Sequence, residues 1–352
     1  MLILRSSYKK EDVEILLKDI TGLVVPQTTE EREKLIQSGR HYSEMLPIEY
    51  LPSEKYIEAY YNALENYGKS VANAVGVLSD KIYNKKGSEV VLVSLARAGI
   101  PAGILIKRYF KFKYNCDIKH YAISIIRGRG IDKNAIKYII ERHNVKDILF
   151  VDGWIGKGAI LNELKKCVKD FEGLSSDLAV IADPANITNY CGTNEDILIP
   201  SSCLNSTVSG LISRTFLRDD IIGENDFHGA VYYGELKDKD ISYEFIENIE
   251  KYFKKDNIVH KKLYNSKGID EVLNIQKKYN VSDINFIKPG IGEATRVLLR
   301  RVPWKIIINE NNKNDNELNH IKHLAKEKNV NIEYDFIGNY KVCGIIKNMS
   351  DI

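Results

Sequence analysis

The sequence predicts an α/β protein, with a parallel-sheet core followed by a small C-terminal α/β/α unit. Three observations lead there. Short apolar runs of strand length alternate with stretches of helical period, the order of a parallel sheet with crossover helices. Two of these strands run straight into glycine-rich turns, at residues 96–103 and 152–158, and each turn opens a helix. The strand runs are rich in Val, Ile and Leu without polar alternation, as expected of strands covered on both faces.

Taken in order, residues 12–17 are expected to form a short helix and 23–26 a strand or turn. The stretch GRHYSEMLPIEYLP gathers His41, Tyr42, Ser43, Glu44 and Glu49 without periodicity and predicts a loop. Ser53 is placed to cap a long helix whose inner face carries Tyr56, Ile57, Tyr60, Leu64, Val71, Ala72, Val75 and Leu78, broken at Lys85-Lys86-Gly87. A strand at 89–95, a helix through Ile104 and Ile106, a strand at 120–126 and a helix at 135–143 lead to the central strand at 148–151. Its helix is marked by Ile160, Leu161, Leu164, Cys167 and Val168, and a strand at 178–182 follows. Residues 196–214, DILIPSSCLNSTVSGLISR, are dense in Ser, Thr and Asn and poor in charge, which suits a buried polar loop lining a pocket. A strand at 231–233 and a helix opening at 240–242 close this part, and a boundary falls near 254–262. Beyond it are expected a helix at 269–278, a strand at 283–287, a turn at 288–292 and a helix at 293–300. A strand at 304–309, a helix at 317–328 and strands at 331–336 and 340–346 complete the chain. The domains are then an N-terminal helical extension packing on the core (1–85), the core (86–255) and the C-terminal unit (256–352).

Hydrophobic residues at 44% and charged residues at 28% are the proportions of a soluble globular protein. No apolar run reaches the length of a membrane span and the N-terminus carries no signal-peptide core, so cytoplasmic residence without a membrane partner is expected. The five cysteines are scattered and contain no C-x-x-C pair, which argues against a disulfide framework or a zinc knuckle, and no protein metal-ligand set is read. Residues 256–352 hold 16 Lys+Arg against 12 Asp+Glu, so the slight basic excess of the chain lies there.

The chemistry centres on VDGWIGKGA. Asp152 ends the central strand, where open α/β sheets bind ligands, and Gly153, Gly156 and Gly158 free backbone N–H groups at a helix N-terminus, where an anion is favoured. A Walker loop does not fit: only Trp154 and Ile155 separate Gly153 from Gly156, and Gly158 rather than Ser or Thr follows Lys157. The segment resembles the sugar-phosphate loop of type I phosphoribosyltransferases. Asp152 matches the first acid of that family's pair, Gly153 replaces the second, and Lys157 stands where Thr is usual. The resemblance implies that Gly156, Lys157, Gly158 and Ala159 wrap the 5′-phosphate of phosphoribosyl pyrophosphate (PRPP). It also implies that Arg97, Ala98 and Gly99 in SLARAGIPAG meet the diphosphate, and that Arg127 and Arg129 in RGRGID sit on a lid that closes over the reactants. Mg²⁺ would be carried mostly by the substrate, and Asn205, Ser206, Ser209, Arg214 and His228 would line the side of a base or nucleoside-like acceptor.

The C-terminal order, with GIGEATRVLLRR between its first two strands, resembles the pelota-type RNA-binding domain over about residues 265–347. That resemblance puts Gly290, Gly292, Glu293, Thr295 and Arg296 on an RNA face, with Lys288 and Arg300 beside phosphates. HYSEM, SLARAGIPAG, SIIRGRGID, FVDGWIGKGAI, DILIPSSCLNSTVSGLISRT and FHGA, followed by this tail, resemble one bacterial family over nearly the whole chain. It comprises phosphoribosyltransferase-like proteins fused to a pelota-type domain, found in tellurite-resistance and stress operons, some of them labelled cysteine protease StiP. The resemblance implies a type I phosphoribosyltransferase-like core with a pelota-like domain, and a phosphoribosyltransferase in a stress-linked biosynthetic pathway. Two alternatives stay open. One is a cysteine peptidase with Cys203 as nucleophile, His228 as base and Asn205 as orienter; the other is a non-catalytic nucleotide- or RNA-binding protein. Homo-oligomerisation is left open.

Overall fold

The computed structural model describes residues 2–259 and 267–347. In chain order the elements begin with β1 (Glu14–Ile15), β2 (Lys18–Asp19), α1 (Thr29–Gln37), α2 (Glu54–Lys86), β3 (Val91–Ala96), α3 (Gly99–Tyr114), β4 (Lys119–Ile126), β5 (Gly130–Ile131) and α4 (Lys133–Ile140). They continue with β6 (Ile148–Trp154), α5 (Ala159–Cys167), β7 (Leu178–Ala182), β8 (Tyr190–Thr193), β9 (Gly229–Ala230) and α6 (Ser242–Glu250). The C-terminal unit comprises α7 (Gly268–Lys278), β10 (Ile287–Pro289), α8 (Ile291–Arg300), β11 (Pro303–Asn309), α9 (Asn319–Glu327), β12 (Asn331–Asp335) and β13 (Val342–Ile346).

The main sheet runs β1-β4-β3-β6-β7-β8 and all these strands are parallel, while β5 folds back antiparallel on β4. Strand faces alternate between two apolar layers. Leu92, Ala122 and Leu149 pack with α2 and α3, whereas Val93, Ile123 and Phe150 pack with α4 and α5. A parallel sheet needs both layers, because its strands are apolar on both faces and each face must be covered. Residues 12–17, expected as a helix, are extended instead: Glu14 and Ile15 pair with Tyr121 and Ala122 at the sheet edge, so the N-terminal segment supplies a strand as well as helices. The 33-residue α2 follows the predicted helix, and Gly87 stops it with a positive φ of 70°. No described helix is long and apolar enough to cross a membrane.

The C-terminal unit is a four-stranded sheet, β10-β13-β11-β12. Its α8 lies against the turn Pro200–Cys203 of the core, and Ile291, Ala294 and Leu298 join Leu198, Ile199 and Cys203 in one apolar cluster. Residues 283–287, expected as strand, form a helical turn at Ile284–Phe286 before β10 begins.

Candidate functional site

The C-terminal edge of the main sheet faces the turn that opens α8, and two joined cavities lie between them. The first, about 290 Å³, is lined by Asp152, Trp154, residues 156–159 and Arg127 from the core and by Lys288, Glu293 and Arg296 from the C-terminal unit. The second, about 440 Å³, continues past Lys288, Glu293 and Arg296 to Arg97, Arg214, Glu49 and Arg301. The sheet topology explains the convergence. Arg97 follows β3 and Asp152 lies near the end of β6, and in a parallel sheet these adjacent strand ends point the same way.

Asp152 is half-buried and accepts the Gly153 N–H at 2.7 Å. Burial, offset only in part by that bond and by Arg296, pushes its carboxyl up to about 7. Gly158, at φ 87°, takes the left-handed conformation that starts α5. Lys157 does not reach into the cavity as a free phosphate ligand. Its Nζ donates to the carbonyls of Ile284 and Ile287, at 2.5 and 3.1 Å, and burial together with Lys288 and Arg127 brings its pKa down to about 8. Tyr340 donates its hydroxyl to the Gly156 carbonyl at 2.6 Å, so the C-terminal unit holds the glycine loop at the adjacent residues Gly156 and Lys157.

Arg97 is preset. It donates to Glu49 at 3.1 Å and to the Ile212 carbonyl at 2.8 Å, and Glu49 also accepts the Ser206 N–H at 2.7 Å. Burial opposes the charge of Glu49, yet Arg97 and Ser206 hold its carboxyl below the usual range. Arg296 pairs with Glu293 at 3.3 Å and lies over the Trp154 ring. After these two pairs, Arg214, Lys288 and Arg301 have no carboxylate partner among the described residues. Arg214 opens to solvent within the cleft, but the surrounding walls, then Arg97, Arg296, Arg301 and Arg32, push its pKa down to about 9. Burial, then Arg301, Arg127 and Arg296, likewise depress Lys288, against Glu293.

Several expected site residues lie elsewhere. Arg129 is exposed and pairs with Glu44 at 2.6 Å, and the Arg127–Arg129 turn is tied down through Tyr42, His41 and Glu163 rather than standing open as a lid. Ala98 lines the first cavity, and Gly99 is buried where α3 starts against β6. Gly153 is buried, its N–H donates to Asp152, and it lies against the Ala98 carbonyl. Asn205 lines the second cavity but spends its side chain on Thr207 and the Tyr50 carbonyl, and Ser209 donates to the Asn205 carbonyl. His228 is held by Ser124 at 2.8 Å on Nδ1 and by Asp132, which accepts its backbone N–H. Cys203 is fully buried and packs with α2, where Tyr60 and Tyr67 sense it. The contacts of His228 place its ring beside Ser124 and its backbone beside Asp132.

The expected RNA face is also turned inward. Gly290 lies against Asp196 and Gly292 against Ser202. Asp196 accepts the backbone N–H of Ile291 and of Lys341, each at 2.9 Å. Thr295 is buried and bonds the Ile291 carbonyl and His320. Only Lys288, Glu293 and Arg296 of that set reach the cleft, and the Arg300 side chain lies outside the described residues. Sequence reasoning missed Asp196 and Arg301 as site residues and read Glu49 only as part of a loop. Glu49 lies 48 residues from Arg97, and no local signal marks that pairing.

Among known proteins, residues 6–250 match the family model described as "Tellurite-like stress resistance cysteine protease StiP", and residues 266–348 match the "PELOTA RNA binding domain" model. A curated relative, the cysteine protease StiP of Acinetobacter baylyi, is 36% identical over 364 residues, covering 97% of this chain and 94% of the relative. A crystal structure of a hypoxanthine-guanine phosphoribosyltransferase from Bacillus anthracis aligns with 36% of this chain and 77% of its own, at 18% identity and a TM-score of 0.28, a likeness too slight to carry an argument. The expectation of a phosphoribosyltransferase that uses PRPP and substrate-borne Mg²⁺ is therefore corrected, since both the family model and the curated relative are named as cysteine proteases. The geometry agrees with the correction at one point: the residue in the Thr position of the expected phosphate loop, Lys157, is committed to backbone carbonyls of the C-terminal unit.

Proposed function

The chain belongs to the StiP family of tellurite-like stress resistance cysteine proteases, and from that premise we propose that it is a thiol-dependent peptidase acting in stress resistance. The observation that carries the reading is the 36% identity to a protein named for that activity, across 97% of the chain. A thiol peptidase attacks the scissile carbonyl with a thiolate, which needs a base to take its proton and access to the substrate. Burial pushes the thiols of Cys167, Cys191 and Cys343 up, the last to about 12, which makes them poor nucleophiles. Cys203 has the stronger claim by position. It lies on the polar loop whose Ser202 faces the α8 turn and whose Asn205 lines the second cavity. Its burial requires the Pro200–Cys203 turn to open before a peptide can reach it. Two histidines are candidate bases: His228, expected in that role from the sequence, and His320, which shares the neighbourhood of Tyr67 with Cys203.

The test is hydrolysis of a denatured protein substrate by the full chain, with and without iodoacetamide, beside Cys203→Ser, His228→Ala and His320→Ala. Activity abolished by alkylation and by Cys203→Ser is the expected result. Turnover that survives alkylation and all five single Cys→Ser changes would overturn the reading.

A second reading, RNA contact through the C-terminal unit, is favoured by the match of residues 266–348 to an RNA-binding domain model. In the closed arrangement that role falls to Lys288, Arg296 and Arg301, because Gly290 and Thr295 are buried. That the core is of the type I phosphoribosyltransferase kind stands as a proposal about fold alone. It is supported by two strand–glycine turn–helix units at the ends of adjacent parallel strands, β3 and β6.

A further inference from the structure

We propose that the second cavity is a binding site for a small phosphorylated molecule, held by Arg214, Lys288 and Arg301 with Arg97 as a preset fourth donor. Three separate parts of the chain build this cleft: the segment around Glu49 and Tyr56, the core loops carrying Arg97 and Arg214, and the α8 region carrying Lys288 and Arg301. Like charges brought together from distant positions repel one another, and the fold tolerates this only at a cost. Carboxylates neutralise Arg97 and Arg296, but no described carboxylate pairs with Arg214, Lys288 or Arg301. Burial first, and the neighbouring cations after it, depress the pKa values of Arg214 and Lys288. A ligand carrying two or more negative charges relieves the repulsion and gains charge-assisted bonds from guanidinium forks.

The cavity also argues the size and kind of ligand. At about 440 Å³ it lies in the range of small-molecule sites. Beside the polar Ser53, Asn205 and Glu293 and the further cations Arg32 and Arg296, its wall carries an apolar and aromatic part made by Pro47, Tyr50, Leu51, Tyr56, Val297 and Ile346. Tyr56 donates its hydroxyl to the Leu299 carbonyl, which fixes its ring beside α8. One cationic end and one apolar flank suit a phosphate or diphosphate ester with a planar or apolar body, such as a nucleotide. The Arg97–Glu49 pair bounds this cleft on one wall and α8 on the other, dimensions that suit a small ligand better than a strand. The site does not depend on the peptidase reading, since none of its residues is Cys203, His228 or His320.

The experiment is calorimetric titration of the full-length Cys203→Ser protein, so that proteolysis cannot interfere. Inorganic pyrophosphate, ADP, an Asp/Glu-rich peptide and a single-stranded RNA are compared at low salt. Arg214→Gln and Arg301→Gln are tested beside Lys111→Met, an exposed cation at the far end of α3. ADP or pyrophosphate should bind, the two arginine variants should each weaken binding at least about tenfold, and Lys111→Met should leave it unchanged. Arg214→Gln should also raise the melting temperature of the ligand-free protein, a readout that shows the variant folded and its repulsion relieved. Binding of neither phosphorylated probe would overturn the proposal. So would binding that both variants keep, or Arg214-dependent binding of the peptide or RNA alone.

Discussion

Asp152 holds a proton that an unfolded Asp would already have lost near neutral pH. Its folded pKa of about 7 stands above the ordinary 3.8, so the native state binds this proton more tightly than the unfolded chain. The stability it contributes is therefore fully present below the ordinary value and is lost as pH rises through about 7. Asp152→Asn removes that loss. Thermal unfolding of the variant should exceed the wild type by roughly 2–4 °C at pH 8 and match it at pH 4. A variant no more stable at pH 8 would mean that the carboxyl is ionised at neutral pH. At this scale the sequence was readable where chemistry coincides with an element's end. Asp152, Arg97 and Lys288 lie at or beside strand ends, and all line the cleft. It was not readable where a residue gains its role from a partner far along the chain, as Glu49 does from Arg97 and Ser206, or Asp196 from Ile291 and Lys341. Nor could it say whether Cys203 and His228 meet, because both sit in loops whose path is set by the sheet edge.

At the scale of elements, the α8 turn is the most informative. Gly290, at φ 95°, opens the helix, and Asp196 from the core accepts the Ile291 N–H with one carboxylate oxygen and the Lys341 N–H with the other. A helix N-terminus favours a negative charge, and here the protein provides its own. Asp196→Ala would strand the buried Ile291 N–H and the half-buried Lys341 N–H and cost about 2–4 kcal/mol in urea unfolding, with faster proteolytic release of the C-terminal unit. Unchanged stability and proteolysis would show that apolar packing of α8 alone holds the two parts together. The long periodic elements were legible: α2, α3, α5, β4 and β7 follow their patterns closely. Residues 12–17 were not, because spacing that suits a helix was overridden by pairing with β4 at the sheet edge. The four-residue β8, with Gly192 inside it, carries too little apolar pattern to be seen without its neighbour β7.

At the scale of the molecule, docking of the C-terminal unit turns most of its expected nucleic-acid face into an internal contact. If RNA is bound through Lys288, Arg296 and Arg301, only about three phosphates are neutralised, and the affinity for single-stranded RNA should fall with a log–log salt slope of roughly −2. A much steeper slope would require a surface that the closed form does not present, and hence undocking. The same docking covers the glycine loop, through Lys157 and Tyr340, and stacks α8 on the turn that carries Cys203. The peptidase account therefore rests on one buried thiol becoming accessible in the folded protein. The most direct measurement is to treat the native full chain with a peptidyl epoxide that alkylates activated thiols and to locate the adduct by mass spectrometry, with the urea-unfolded chain as the reference that labels all five cysteines. The account predicts a single adduct on Cys203, formed in step with loss of hydrolysis and absent from Cys203→Ser. A native protein that hydrolyses its substrate while Cys203 stays unmodified would contradict it.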